Sequence, residues 1–388
     1  MQVSGGDLQR LRQLNSLSSI RALREAPQPL TLTELATRTG LSRGSIGDVV
    51  TDLQSRGWIA EVRPAPGTMG RPARRYRFRA DAGHVLGLDI GVHKVMAAIT
   101  DLDGRVMASG RIAVDRNTSV ADRLDAMTRA IGAALLAAGL PASDIWALAA
   151  GSVGVVDRSG RIARVEAVPD WAGVDLVGHL HEIFSCPVLV ENDSKLAALA
   201  EQRLGVAAGV RDVVYLHVGR RPGAALIING VLHHGFSGAT GEVGLMDITR
   251  WRTMRGHLEQ CAVARGVPEE EAAALVFAAA RKGDRDALAA IDAYAADLAL
   301  GTAAMVLTLD PELVVLGGGL SRSGDVLLDP LRRALEPHCL RPPEIRTSTL
   351  GEEGVVLGAA CLAIDHLDQQ FFSPEGEIAP PVAPQRTH

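Results

Sequence analysis

The chain has 388 residues, 47% of them apolar, and a formal net charge of −5. That is enough for about two or three domains with a large core, and no apolar run approaches the ~20 residues of a membrane span. Four cysteines without a CxxC pair, and an N-terminus without an apolar signal-type stretch, argue against a disulfide framework and fit a reducing cytoplasm.

The charge is uneven. Residues 1–80 hold 13 Arg, no Lys and 6 acidic residues, a net +7, while the remainder is at −12. A small basic module on a large acidic one predicts an anionic partner for the first part alone.

Residues 15–26 have apolar Leu17, Ile20 and Leu23 at helical spacing, and Pro27 and Pro29 stop that helix. In "TLTELATRTG", Thr31 and Glu34 have the spacing of a capping box, and Gly40 ends a second helix. Ser42 then caps a third, whose Ile46, Val49, Val50 and Leu53 recur at i, i+3, i+4 and i+7. This is a helix-turn-helix whose third helix leads with Ser42, Arg43, Gly44 and Ser45, the candidates for a major groove. "WIAEV" and "RYRFR" flank a turn containing "GRPARR", the pattern of a wing. There Arg71 is placed to enter a minor groove, and Arg74 and Arg75 to pair with phosphates. The expected partner is a double-stranded DNA operator, bound by residues 10–80.

From about residue 84 to 368, strands, glycine turns and Ala-rich helices alternate. "VLGLDIGVHKVMAAITDLDGRVMASGRIAV" reads as three antiparallel strands, and "VVYLHVGRRPGAALIINGVLHHG" repeats the plan. Two such halves predict a two-lobed α/β domain with a cleft. Residues 371–388 are Pro-rich and read as a disordered tail.

The winged helix together with "LGLDIGVHKVMAAITDLDG", "VENDSKLAALAE", "GFSGATGEVGL" and "LVVLGGGLS" resembles the ROK family, which comprises repressors, uncharacterised reading frames and sugar kinases. The resemblance runs from about residue 10 to 367. It implies an actin/hexokinase-like fold, a sugar site in the cleft, and homodimers or homotetramers. Its regulators carry the winged helix and its kinases lack it. Carried over motif by motif, it makes Asn192, Asp193, Glu242 and Glu259 candidate hydroxyl partners, with Asp193 matching the kinases' catalytic base.

The departures from the family pattern matter as much. Leu245 replaces a His that helps hold sugar and zinc. Arg250, Arg252 and His257 stand where zinc thiolates would be, so no metal is expected, since a structural zinc needs about four N/S ligands. "DIGVHK" puts Val92 and His93 where the kinases have Gly and Thr. "GRRPG" puts Arg220, Arg221 and Pro222 into the second phosphate hairpin, where backbone N–H groups need open space. The resulting expectation is a repressor of carbohydrate-related genes that is not an enzyme and needs no cofactor or membrane. Two alternatives stay open, a sugar kinase with a DNA-binding appendage and a regulator whose cleft no longer binds sugar.

Overall fold

The computed structural model describes residues 5–62, 73–219, 222–266, 271–374 and 378–384. The first module comprises α1 (Gly5–Arg24), β1 (Leu30–Thr31), α2 (Leu32–Thr39), α3 (Arg43–Arg56), β2 (Ile59–Val62) and β3 (Arg75–Phe78). The capping box at α2 is formed in both directions. Glu34 N donates to Thr31 Oγ1 at 3.2 Å, and Thr31 N donates to Glu34 Oε2 at 2.7 Å. On α3, Ile46, Val49, Val50 and Leu53 are all buried, so the apolar stripe faces inward as its spacing requires. One element was not legible in sequence. β1 pairs antiparallel with β3, making the wing a three-stranded sheet, and two residues are too short to leave a periodic signal.

The first lobe is built from β4 (His84–Ile90), β5 (Lys94–Asp101), β6 (Val106–Ala113), α4 (Val120–Ala138), β7 (Ile145–Ser152), β8 (Val155–Val156), β9 (Ile162–Arg164), α5 (Leu176–His181) and β10 (Val188–Asn192). The second follows with α6 (Asp193–Leu204), β11 (Val213–His217), β12 (Gly223–Ile228), β13 (Val231–Leu232), α7 (Arg255–Val263), α8 (Ala272–Arg281), α9 (Arg285–Leu309), β14 (Leu313–Gly317), α10 (Gly324–Leu335) and β15 (Glu344–Thr347). The last helix, α11 (Gly354–Phe371), returns to pack on β4 and β7 of the first lobe and on α6. The sheets run β10-β7-β4-β5-β6 and β13-β12-β11-β14-β15. Numbered within each lobe, both have the order 5-4-1-2-3 or its mirror listing, the internal duplication expected from the repeated strand pattern. Asn229 and Gly230 have φ of 54° and 79°. Both central residues of the β12–β13 hairpin are therefore left-handed, as an Asn-Gly turn of this type demands.

Among the described residues, Arg285–Leu309 is long and apolar enough to cross a membrane, although no comparable run stood out in the sequence. Its Ile291, Tyr294, Leu298 and Val306 are buried in the second lobe's core with Phe277, Leu316 and Leu331. Helix α9 is thus a central packing helix of that lobe.

The winged helix is packed on the body, and the two share one buried cluster. Trp58 is fully buried among Phe78, Trp146, Phe371 and Phe372, with centroids 6.0, 6.4, 5.3 and 4.7 Å away. Arg24 binds Asp103 at 3.1 Å and Asp368 at 2.7 Å, and lies over the Phe78 ring. The tail corrects the sequence reading in part. Ile378 is buried, the Trp58 indole donates to the Ala379 carbonyl at 2.6 Å, and Arg56 donates to the Ile378 carbonyl. Proline-rich composition suggested no packing, but the tail's few apolar and carbonyl groups meet the exposed end of α3.

Candidate DNA-reading face and interlobe cleft

At the leading end of α3, Ser42 accepts from Ser45 N at 3.2 Å and its hydroxyl meets that of Ser45 at 2.9 Å. Both serines are thereby engaged in capping. Arg43 and Gly44 are exposed, beside the unpaired N–H groups and positive dipole end that favour phosphate. Arg74 is exposed with Glu61 3.5 Å away. Arg75 is half-exposed and also bound within the module. It donates to the Pro29 carbonyl at 2.6 Å and faces Glu34 at 3.3 Å, tying the wing to α2. The short β1 strand, invisible in sequence, brings that carbonyl within reach. Arg71 lies outside the described residues, as do Arg220 and Arg221.

The cleft between the lobes encloses about 590 Å³, within the range of small-molecule sites. Asn192, Asp193 and Glu242 line it. Asn192 ends β10 and caps α6, accepting from Lys195 N at 3.1 Å and donating to the Gly154 carbonyl at 2.8 Å. Each end of its amide still has one hydrogen-bonding position left. Asp193 Oδ1 accepts from Ser194 N at 2.7 Å, while Oδ2 has no hydrogen bond among the described residues. Burial pushes the Glu242 carboxyl above its ordinary pKa, and repulsion by Asp193 adds to this against Lys195 and Arg164. These two carboxylates present acceptor oxygens to the cleft.

Glu259 departs from the expectation. It sits on α7, does not line the cleft, and is held by Arg255 at 2.7 Å. Its position in "GHLE" matched the motif, yet the loop before it lacks the thiolates that would fix its orientation. There Arg250 and His257 turn to Asp297, at 3.5 and 2.8 Å. Among the described residues no group of three or more His, Cys, Asp or Glu is placed to hold a metal. Leu245 is 37% exposed at the cleft wall.

Several cleft residues were missed as site residues. Asp89 is buried and its pKa is raised to about 6, chiefly by desolvation, although Lys94 lies 3.3 Å away. The "DIGVHK" motif contains both, at positions that do not depart from the family pattern as Val92 and His93 do. His217, at the end of β11, also lines the cleft, and its Nδ1 is buried without a partner among the described residues. Arg164, Glu166 and Arg252 form a bridge across the opening. Nothing in sequence joins residues so far apart.

A winged helix on a two-lobed actin/hexokinase-like body with a sugar-sized cleft is a DNA-binding regulator built on a sugar-kinase fold. The chain belongs to the ROK family, whose model matches residues 85–366, and an IclR helix-turn-helix domain matches residues 15–63. It is a ROK-family transcriptional regulator. It is 23% identical to a xylose repressor of Bacillus spizizenii, over 87% of this chain and 92% of that protein. It is 29% identical to a glucokinase of Thermotoga maritima, over 72% of this chain and 96% of the enzyme. Among solved structures, a ROK family transcriptional regulator homologous to the E. coli MLC protein superposes over 95% of this chain and all of its own, with TM-score 0.72 and 20% identity. A Streptomyces griseus ROK glucokinase bound to glucose and AMPPNP superposes over 73% of this chain and all of its own, with TM-score 0.63 and 25% identity.

Proposed function

We propose that this protein is a cytoplasmic repressor of carbohydrate-related genes that acts as a homodimer or homotetramer, senses a sugar in its cleft and has no enzymatic activity. One observation carries the reading. At its start α11 lines the cleft through Gly354 and Val355, and at its end it packs Phe371 on Trp58 of the winged helix. A single helix therefore touches both the ligand site and the DNA-reading module. Lobe closure on a sugar shifts α11, and paired winged helices change their spacing on a palindromic operator. Asn192, Asp193 and Glu242 are the proposed hydroxyl partners. Ser42, Arg43, Gly44, Ser45, Arg71, Arg74 and Arg75 are the proposed DNA contacts.

In a gel shift on its own promoter DNA, Arg43→Ala is expected to weaken specific binding by about 1–3 kcal/mol. Equal affinity of wild type and variant at all salt concentrations would sink the assignment of α3 as the reading helix.

Asp193, with an oxygen left over, keeps the sugar-kinase reading in view. Against it stand Val92, His93 and Pro222 at the phosphate hairpins, the last with no N–H to offer. Incubation with ATP and a panel of hexoses is expected to give no phosphoryl transfer. Turnover that disappears in Asp193→Asn would establish the enzyme instead.

A further inference from the structure

Arg164 and Arg252 reach Glu166 from opposite sides of the cleft. Arg164 ends β9 in the first lobe, and its Nη2 lies 2.9 Å from Glu166 Oε1. Arg252 comes from the loop before α7 in the second lobe, and its Nη2 lies 2.9 Å from the same oxygen. The neighbouring Trp251 anchors that loop. Its ring is buried in the second lobe's core, and its indole donates to the Leu298 carbonyl at 3.2 Å. All three charged side chains line the cleft with Asp193 and Glu242.

We infer that the ligand of this cleft is an acidic monosaccharide whose carboxylate or phosphate is held between the guanidinium groups of Arg164 and Arg252. This rests on the sugar-sensing reading above and names its ligand class. Two guanidiniums converging on one carboxylate oxygen carry more positive charge than Glu166 alone offsets, and Glu242, which also feels Arg164, offsets part of the rest. Asp247 lies 3.8 Å from Arg252 but is almost fully exposed, so it offsets little of that charge. A cross-lobe tie needs one arginine, and the second adds repulsion unless another anion arrives. The guanidinium side chains are 57% and 44% exposed, so a ligand in the cleft can reach them. A planar guanidinium takes carboxylate or phosphate through two parallel hydrogen bonds and gains less from a neutral hydroxyl. The sugar's hydroxyls then fall to Asp193 and Glu242, and its acid group displaces or shares the place of Glu166. Arg252 occupies one of the three positions where the family pattern has zinc thiolates, so the loop that lacks those ligands is also the one that supplies this cation.

The test uses the full chain and calorimetry with glucose and galactose, their uronic acids, and their 6-phosphates. At least one acidic sugar is expected to bind about tenfold or more tighter than its neutral parent, with affinity falling as salt rises. Arg252→Ala and Arg164→Ala should each collapse that preference. Glu166→Gln should strengthen acidic-sugar binding, because it removes the competing carboxylate and leaves both cations. A mere interlobe latch predicts the reverse, weaker binding in Glu166→Gln for every sugar. The uronate and phosphate arms separate the two acid groups. Neutral hexoses binding as well as acidic ones, or no sugar binding at all, would overturn the inference. Gel shifts run alongside keep the two readings apart. Operator release by neutral sugars alone leaves the regulator standing and removes the acidic ligand, whereas failure to bind any promoter DNA removes the regulator and leaves the calorimetry to judge the cleft.

Discussion

Trp58→Ala is expected to cost about 3–5 kcal/mol, the range for emptying a large aromatic from a close-packed site. The indole is fully buried and stacks parallel to Phe78, with an interplanar angle of 6°, and meets Phe371, Phe372 and Trp146 edge-on or tilted. It also donates to the Ala379 carbonyl, so its removal loses a hydrogen bond in addition to opening the cavity. The ring is the junction of three segments: the end of α3, the first lobe through Trp146, and the end of α11. Its loss is therefore expected to do more than lower stability. The winged helix should melt or swing before the body, giving an early transition in a thermal scan, and operator release by sugar should be uncoupled from sugar binding. A single cooperative transition close to the wild-type midpoint would show that the junction does not hold the module.

Gly358→Ala is expected to destabilise by about 2–3 kcal/mol, as overpacking at a rigid contact does. The sign is the informative part. In an ordinary helix interior, Gly to Ala gains about 1 kcal/mol from propensity. Here a Cβ on Gly358 would overlap the backbone carbonyl of Leu196, because α11 and α6 cross in close contact. Backbone cannot rotate away as a side chain can, so one helix must shift. Helix α6 starts at Asn192 and Asp193, and its displacement moves both groups in the cleft. Urea denaturation measures the stability, and ligand calorimetry the displacement. A stabilised Gly358→Ala would show that the crossing is looser than described.

Much of this architecture was written locally. The third helix of the reading module announces itself through Ser42 and the Ile46–Leu53 spacing, which act within a few residues of one another. The Asn229–Gly230 turn fixes the β12–β13 hairpin for the same reason. The repeated strand pattern gave the two lobes, since each sheet begins with a three-strand meander joined by tight turns. Asn192, Asp193 and Glu242 line the cleft because their motifs sit at element ends that face it.

Other features depend on partners far away in the chain. Glu259 lies at its motif position, but an ion pair with Arg255 takes it out of the cleft. Arg75 sits in a basic wing, and a strand of two residues brings the Pro29 carbonyl and Glu34 within its reach. Ile378 looked like part of an unpacked tail, because proline-rich sequence carries no periodicity to show which residue will be buried. Arg252 joins Arg164 and Glu166 only when the lobes face each other.

The sequence by itself determined the helix-turn-helix, the duplicated α/β body and the altered phosphate hairpins, because capping, periodicity and turn chemistry act over a few residues. Only the tertiary structure decided which charges face the cleft, how the tail and Trp58 fasten the reading module, and that α11 spans from one site to the other. Those are contacts between segments distant in sequence, set by packing rather than by local preference.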